Sequence, residues 1–204
     1  MKMKLISQGA EAKIFLNEKE NLIIKNRTPK LYRISELDKK IIKQRTKAER
    51  KLLEKASKII SAPNPLPSKE INIIKMPFVN GKKLSNFLNN FPLKKQKEIM
   101  EKAGKSIAEL HKNDIIHGDL TTSNMILKEE NIFFIDFGLG YISKKIEDKA
   151  VDLHLLKQAL EAKHFVHWKE LFQKFQEVYS KNYSEFHKVF ERMNAIEKRG
   201  RYRH

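Results

Sequence analysis

The sequence predicts an α+β fold in two lobes. A small β-rich N-lobe is expected over about residues 1–79, a reduced helical C-lobe over about 80–197, and a basic tail over 198–204. Three observations predict it. Short apolar runs and one long helical pattern fill the first part of the chain. Apolar residues at helical spacing dominate the second. Between them "SAPNPLPS" places three prolines in five residues, which no helix can cross. A length of 204 residues suits one domain.

The elements follow in order. "KLISQGAEAKIFLN" reads as two strands around Gly9, and "NLIIKN" as a third that ends at Lys25. From Glu36 to about Ile60 a helix is expected, with Leu37, Ile41, Ala48, Leu52, Ala56 and Ile59 as its apolar stripe. Ile42, Thr46, Glu49, Leu53 and Ala56 run along the edge of that stripe. "INIIKMPFV" reads as a buried strand and "NGKKL" as a turn into helices. Leu93–Asn113 carries Ile99, Ala103, Ile107 and Leu110 on one face. Short strands are expected at Met125–Leu127 and Ile132–Ile135, then helices at Asp148–Ala162, Trp168–Lys181 and Ser184–Lys198. In the last of these, Phe186, Val189, Phe190, Met193 and Ile196 are expected in the core.

Composition narrows the class. An apolar share of 40% is enough for a core, and the absence of cysteine excludes disulfides and thiolate metal sites. The seven histidines show no metal-ligand spacing. No run has the length of a membrane span and no leader-like stretch opens the chain, so a soluble, cytoplasmic protein without a membrane partner is expected. A net charge of +17 points to a polyanionic partner, nucleic acid before membrane, or to a surface of solvated lysines. Thirteen Lys or Arg face four Asp or Glu between Lys25 and Lys58, and "EKRGRYRH" adds a second basic cluster.

Chemistry concentrates in "IIHGDLTTSNMIL" and the following "FFIDFGLG". Phosphoryl transfer needs metal ions on the phosphates, a cation on the nucleotide and a group that positions the acceptor. Asp136 offers carboxylate oxygen to Mg²⁺ and Asn124 a neutral amide oxygen to a second ion. Asp119 is placed to act as base or positioner. Singly, each residue is as well read as a cap or turn former, but their order and spacing match a kinase catalytic loop and its "DFG". Lys25 is the candidate cation for ATP phosphates, with Glu49 as its partner on the inward edge of the helix. The backbone around Gly9 and Ala10 is a candidate phosphate lid, although a plain hairpin turn reads nearly as well. Met76 and Phe78 are candidates to meet the adenine edge, since Pro77 lacks an N–H. His117 is expected to be a hydrogen-bonded structural residue.

Gly118 stands where a protein kinase carries Arg, and the segment from Gly138 to Glu147 is too short for a peptide-docking platform. Loop-phosphorylation control is therefore not expected. "QGAEA", "IIKNRTPKLYR" with "ELD", "RTKAE", "IHGDLTTSN", "IDFGLG", "EDKAVDLHLL" and the terminal "RGR" occur in family order. Over essentially its whole length the chain resembles the small atypical kinase of the KEOPS complex, the PRPK family, with an archaeal source expected. RIO-type kinases and aminoglycoside phosphotransferases share "HGD" but lack the "KNRTPKLYR" block. The resemblance implies a minimal two-lobed kinase fold that uses ATP and Mg²⁺, phosphorylates itself on Ser/Thr and hydrolyses ATP. It further implies support, within KEOPS, of the partner enzyme that makes threonylcarbamoyl-adenosine in tRNA. It carries the tail residues Lys198, Arg199, Arg201 and Arg203 as candidates to approach tRNA. A non-catalytic, nucleotide-holding tRNA scaffold and a small-molecule phosphotransferase remain the competing readings.

Overall fold

The computed structural model describes residues 3–30 and 32–201. Strands β1 (Met3–Gln8), β2 (Ala12–Asn17), β3 (Leu22–Arg27) and β4 (Ile73–Pro77) form one antiparallel sheet in sequence order. Helix α1 (Ser35–Ala56) packs beside it. The C-lobe follows with β5 (Lys82–Lys83), α2 (Leu84–Phe87), α3 (Leu93–Lys112), β6 (Ile115–Ile116), β7 (Met125–Lys128), β8 (Asn131–Phe134) and β9 (Tyr141–Ile142). It closes with α4 (Ile146–Lys163), α5 (Trp168–Asn182) and α6 (Phe186–Arg201). The expected α+β, two-lobed fold is the one observed.

The C-lobe core is centred on two closely packed helices. Ile99, Ala103, Ile107 and Leu110 of α3 are fully buried against Leu171, Phe175 and Tyr179 of α5. Gly104 lets the two helices meet closely, because a Cβ there would lie 2.9 Å from the Phe175 carbonyl oxygen. Burying each such large apolar side chain contributes about 1.5–3 kcal/mol. In α6, Val189 and Met193 enter the core, while Phe186, Phe190 and Ile196 pack against it half-buried.

Helix α1 departs from expectation twice. It ends at Ala56, and residues 57–60 wind into tighter turns instead, with the N–H groups of Ile59 and Ile60 both donating to the Ala56 carbonyl. Its buried face follows the edge named above and keeps only Leu52 and Ala56 of the apolar stripe. Leu37 is 51% exposed and Ala48 faces solvent, whereas Asp38, Ile42, Thr46, Glu49, Leu52, Leu53 and Ala56 are buried. The helix turns its edge inward because that edge carries the acids the sheet requires. Asp38 takes the backbone N–H of Lys30 at 2.9 Å and the Arg33 guanidinium at 3.1 Å. Lys30 in turn donates to the Ala10 carbonyl. The "KNRTPKLYR" segment thus ties the β1–β2 turn to the start of α1.

Candidate active site

Lys25 and Arg27 occupy alternate positions of β3, so both side chains leave the same face of the sheet. Glu49 meets them from α1. One of its oxygens lies 2.7 Å from Lys25 Nζ and the other 2.6 Å from Arg27 Nη2. Lys25 also reaches Asp136 at 2.6 Å, and Arg27 reaches Glu11 at 3.2 Å, which Arg45 holds from outside. Burial works against the Lys25 ammonium, but the carboxylates of Glu49 and Asp136 outweigh it and hold its pKa above the ordinary lysine value. Asp136 shows the mirror effect. Burial pushes its carboxyl up, yet Lys25 and the Gly138 N–H hold it below the usual range. Both groups are charged at neutral pH.

The opposite wall is organised by a residue that the motif reading left without a role. Asp152 of α4 is buried and accepts the backbone N–H groups of His117 at 2.7 Å and Gly118 at 2.8 Å. His111 approaches the same carboxylate at 3.4 Å and contacts the Tyr179 hydroxyl at 2.9 Å. A carboxylate can only accept, so His111 Nε2 carries the proton and Nδ1 accepts from Tyr179. Gly118 has φ +79°, and a Cβ on it would lie 2.2 Å from the Leu139 carbonyl oxygen. No Arg could stand there. Backbone shape alone sets the glycine.

His117 is structural, as its surroundings predict. Its Nδ1 accepts from the Asp119 N–H at 3.3 Å, and its Nε2 donates to the Ile135 carbonyl at 3.2 Å. With one nitrogen accepting, the ring is neutral, and burial lowers its pKa accordingly. The Asp119 carboxylate is fixed from the other side: Asn124 Nδ2 donates to its Oδ2 at 2.8 Å and to its backbone carbonyl at 2.9 Å. Both bonds engage the amide nitrogen, which leaves the Asn124 carbonyl oxygen for a cation. Asp136 adopts φ +62°, an uncommon conformation for a residue with a side chain, and its carboxylate is 49% exposed.

Two adjoining cavities of about 300 and 270 Å³ share Ser7, Ile14, Lys25 and Asp136. The first is apolar, with Ile6, Ile23, Met76, Val79, Ile126 and Ile135 on its walls. The second adds Gly9, Ala10, Arg27, Asp119 and Gly138. Lys25, Glu49, Asn124, Asp119 and Asp136 therefore line one continuous cleft. Among the described residues no group of three or more His, Cys, Asp or Glu could hold a metal by itself. The donors present, the Asp136 carboxylate and the Asn124 carbonyl oxygen, are of the hard-oxygen kind that Mg²⁺ takes together with phosphate oxygens and water.

Three expected positions need revision. The Gly9 N–H donates to the Ala12 carbonyl at 3.0 Å, so it closes the hairpin rather than standing ready for phosphate. The Phe78 N–H donates to the Asn21 carbonyl at 2.9 Å, which removes it as a donor to adenine. Met76 pairs with Ile23, and the Lys75 carbonyl turns the other way to accept from Leu66. Strand alternation then turns the Pro77 carbonyl away from β3. In the tail, Lys198 and Arg199 are exposed and belong to the last turns of α6, which also includes the backbone of Arg201. Arg203 lies outside the described residues.

Comparison with known proteins agrees with this geometry. The RIO domain family model matches residues 13–150. The chain is 42% identical to the KEOPS complex subunit Bud32 of Pyrococcus abyssi, covering 98% of this chain and 97% of that one. The chain belongs to the Bud32 branch of the RIO-domain family. It is 37% identical to a probable serine/threonine-protein kinase BUD32 homolog of Archaeoglobus fulgidus, over 98% and 96% of the two chains. It is also 40% identical to a probable bifunctional tRNA threonylcarbamoyladenosine biosynthesis protein of Methanobrevibacter smithii, over 98% of this chain but 37% of that one. In this Bud32-like chain no described helix is long and apolar enough to cross a membrane.

Proposed function

We propose that the chain is an Mg²⁺- and ATP-dependent Ser/Thr kinase and ATPase that serves a KEOPS-type complex. In that role it supports the partner enzyme that makes threonylcarbamoyl-adenosine in tRNA. The observation that carries this reading is the convergence of Lys25, Glu49, Asp119, Asn124 and Asp136 on one cleft from segments far apart in sequence.

Each residue has a distinct task. The ammonium of Lys25 grips the α- and β-phosphates, and Glu49 keeps it extended across the cleft. The apolar cavity takes the adenine, with the Pro77 carbonyl at its edge. Asp136 and the Asn124 carbonyl would hold Mg²⁺, which when bound neutralises charge on the transferred phosphate. Asp119 has one oxygen anchored by Asn124 and presents the other to the acceptor, whose proton it takes. With no platform for a docked peptide, the acceptor is water or a hydroxyl of the protein itself.

ATP turnover and self-labelling, measured with and without partner enzyme and tRNA, test the reading. Asp119→Ala should lower both by about 10²-fold or more. Unchanged turnover overturns the assignment. If Asp136→Ala abolished turnover yet left tRNA modification intact, the nucleotide-holding scaffold would be the better description.

A further inference from the structure

Helices α1 and α3 each carry six lysines, and the fold treats them in opposite ways. In α3, Lys95, Lys97, Lys102, Lys105 and Lys112 each lie within ion-pair distance of a glutamate. In α1, Lys39, Lys40, Lys43, Lys47, Lys51 and Lys55 are all exposed, and none takes part in an ion pair among the described residues. The arginines of α1 are used internally. Arg45 holds Glu11, and Arg50 donates to the carbonyls of Ser68 and Ile73. The two exposed acids of α1, Glu36 and Glu54, stand near its ends, and neither forms an ion pair with a lysine.

Spacing turns the lysines into a stripe. Lys40, Lys43, Lys47, Lys51 and Lys55 recur every three or four residues. At about 100° per residue they fall within about 60° of the direction opposite Glu49. The stripe therefore runs along the outer side of the helix for about 22 Å, while Glu49 on the inner side serves Lys25. A proteome merely rich in lysine would leave α3 as unpaired as α1. Five like charges along one face, with Glu54 the one acid among them, repel one another, and a polyanion of matching spacing relieves that repulsion. Between the lysines the stripe has no large apolar side chain to enter a lipid surface, which favours a phosphate backbone over a membrane.

We infer that the outer face of α1 is a docking surface for the phosphate backbone of structured RNA, in addition to any contact from the tail. This rests on the tRNA-modification reading for the identity of the RNA, but not on the phosphotransfer chemistry. The contact reads backbone rather than sequence, since ammonium groups on flexible stems carry no base code.

Binding of a fluorescently labelled, unmodified tRNA transcript to the full chain, titrated at several salt concentrations, tests it. The combined variant K43Q/K47Q/K51Q keeps good helix formers on the surface. It should bind about tenfold more weakly near 0.1 M salt, and its slope of log affinity against log salt should flatten by about 3. The matched variant K95Q/K97Q/K102Q on α3 removes the same charge and should stay within about twofold of the parent. Equal losses in both variants, or none in the α1 variant, overturn the proposal. So does an α1 variant that loses binding to phosphatidylglycerol vesicles while keeping tRNA. ATP turnover without RNA should be unaffected by the α1 variant, whereas Asp119→Ala should bind tRNA normally. Failure of the docking surface and failure of the phosphotransferase reading are thus separately visible.

Discussion

On the N-lobe side of the cleft each cation has two carboxylates, whereas on the C-lobe side two backbone N–H groups and a histidine share one carboxylate. Lys25 contacts Glu49 and Asp136, and Arg27 contacts Glu49 and Glu11. His117, Gly118 and His111 all depend on Asp152. The first arrangement is redundant: Lys25, Arg27 and Glu49 are buried, but each cation keeps a second, half-exposed carboxylate in Asp136 or Glu11. The second is a hub inside a core whose largest side chains are fully buried. Damage should therefore have different signatures on the two sides. Loss on the N-lobe side should reduce activity with modest effect on stability, and loss on the C-lobe side should reduce both.

Removing the hub should give the largest effect. Asp152→Ala orphans two buried N–H groups at about 1–3 kcal/mol each, or about 4 kcal/mol together. Urea unfolding should show this as a lower midpoint at unchanged slope. Asp152→Asn keeps one accepting oxygen and should recover about half. Equal stabilities for Asn, Ala and the parent would show that the hub is not what holds the loop.

Gly118→Ala follows at about 3 kcal/mol. The left-handed backbone costs a side chain about 1–2 kcal/mol, and displacing the Leu139 carbonyl adds a similar amount. Because Gly118 precedes Asp119, turnover should fall with stability. A stable variant with full turnover would mean that the loop can shift at little cost.

How much of this was legible in the sequence follows from what each signal measures. Periodicity located the elements because strands and helices here bury apolar faces at periods of two and 3.6. It centred the buried face of α1 too far towards Leu37 and Ala48, because that face mixes Ile42, Leu53 and Ala56 with the acids Asp38 and Glu49, which an apolar count leaves out. Asp152 went without a role although a signal was present: an acid amid Ala150, Leu153 and Leu156 on an inward face must be buried, and a buried acid needs donors. Arg27 could have been found from its alternation with Lys25. The Gly9 and Phe78 amides could not, since their partners depend on strand pairing across a turn that residue types do not fix.

Acidification tests the C-lobe side in another way. His164 is buried between the Asn89 side chain at 2.6 Å and the Thr122 hydroxyl at 3.0 Å, beside the turn that carries Asn124. Burial pushes its pKa from 6.5 down to about 4. The unfolded chain therefore binds the proton more readily between those values, and stability falls as pH drops from about 6.5 towards 4. The expected loss is about 2 kcal/mol between pH 7 and 5. Burial depresses His117 in the same direction. His164→Gln should flatten the unfolding midpoint over that window; an unchanged pH profile would assign the acid sensitivity elsewhere.

The smallest stability effect belongs to the N-lobe side, and it carries the sharpest test of the contrast. Glu49→Gln removes the charge shared by Lys25 and Arg27, and an unreplaced buried partner would cost about 3–5 kcal/mol. Here Asp136 and Glu11 remain in contact with the two cations, so about 1 kcal/mol is expected instead. Activity should fall much further. Without Glu49, Lys25 has only Asp136 to follow, and it is drawn towards the carboxylate proposed above to hold Mg²⁺. Turnover should drop by about 10-fold or more while the unfolding midpoint barely moves. Adding Glu11→Gln removes the reserve partner of Arg27, and the double variant should lose more stability than the two single changes combined. Simple additivity would show that the paired carboxylates act independently, and the redundancy of the N-lobe wall would then be only geometric.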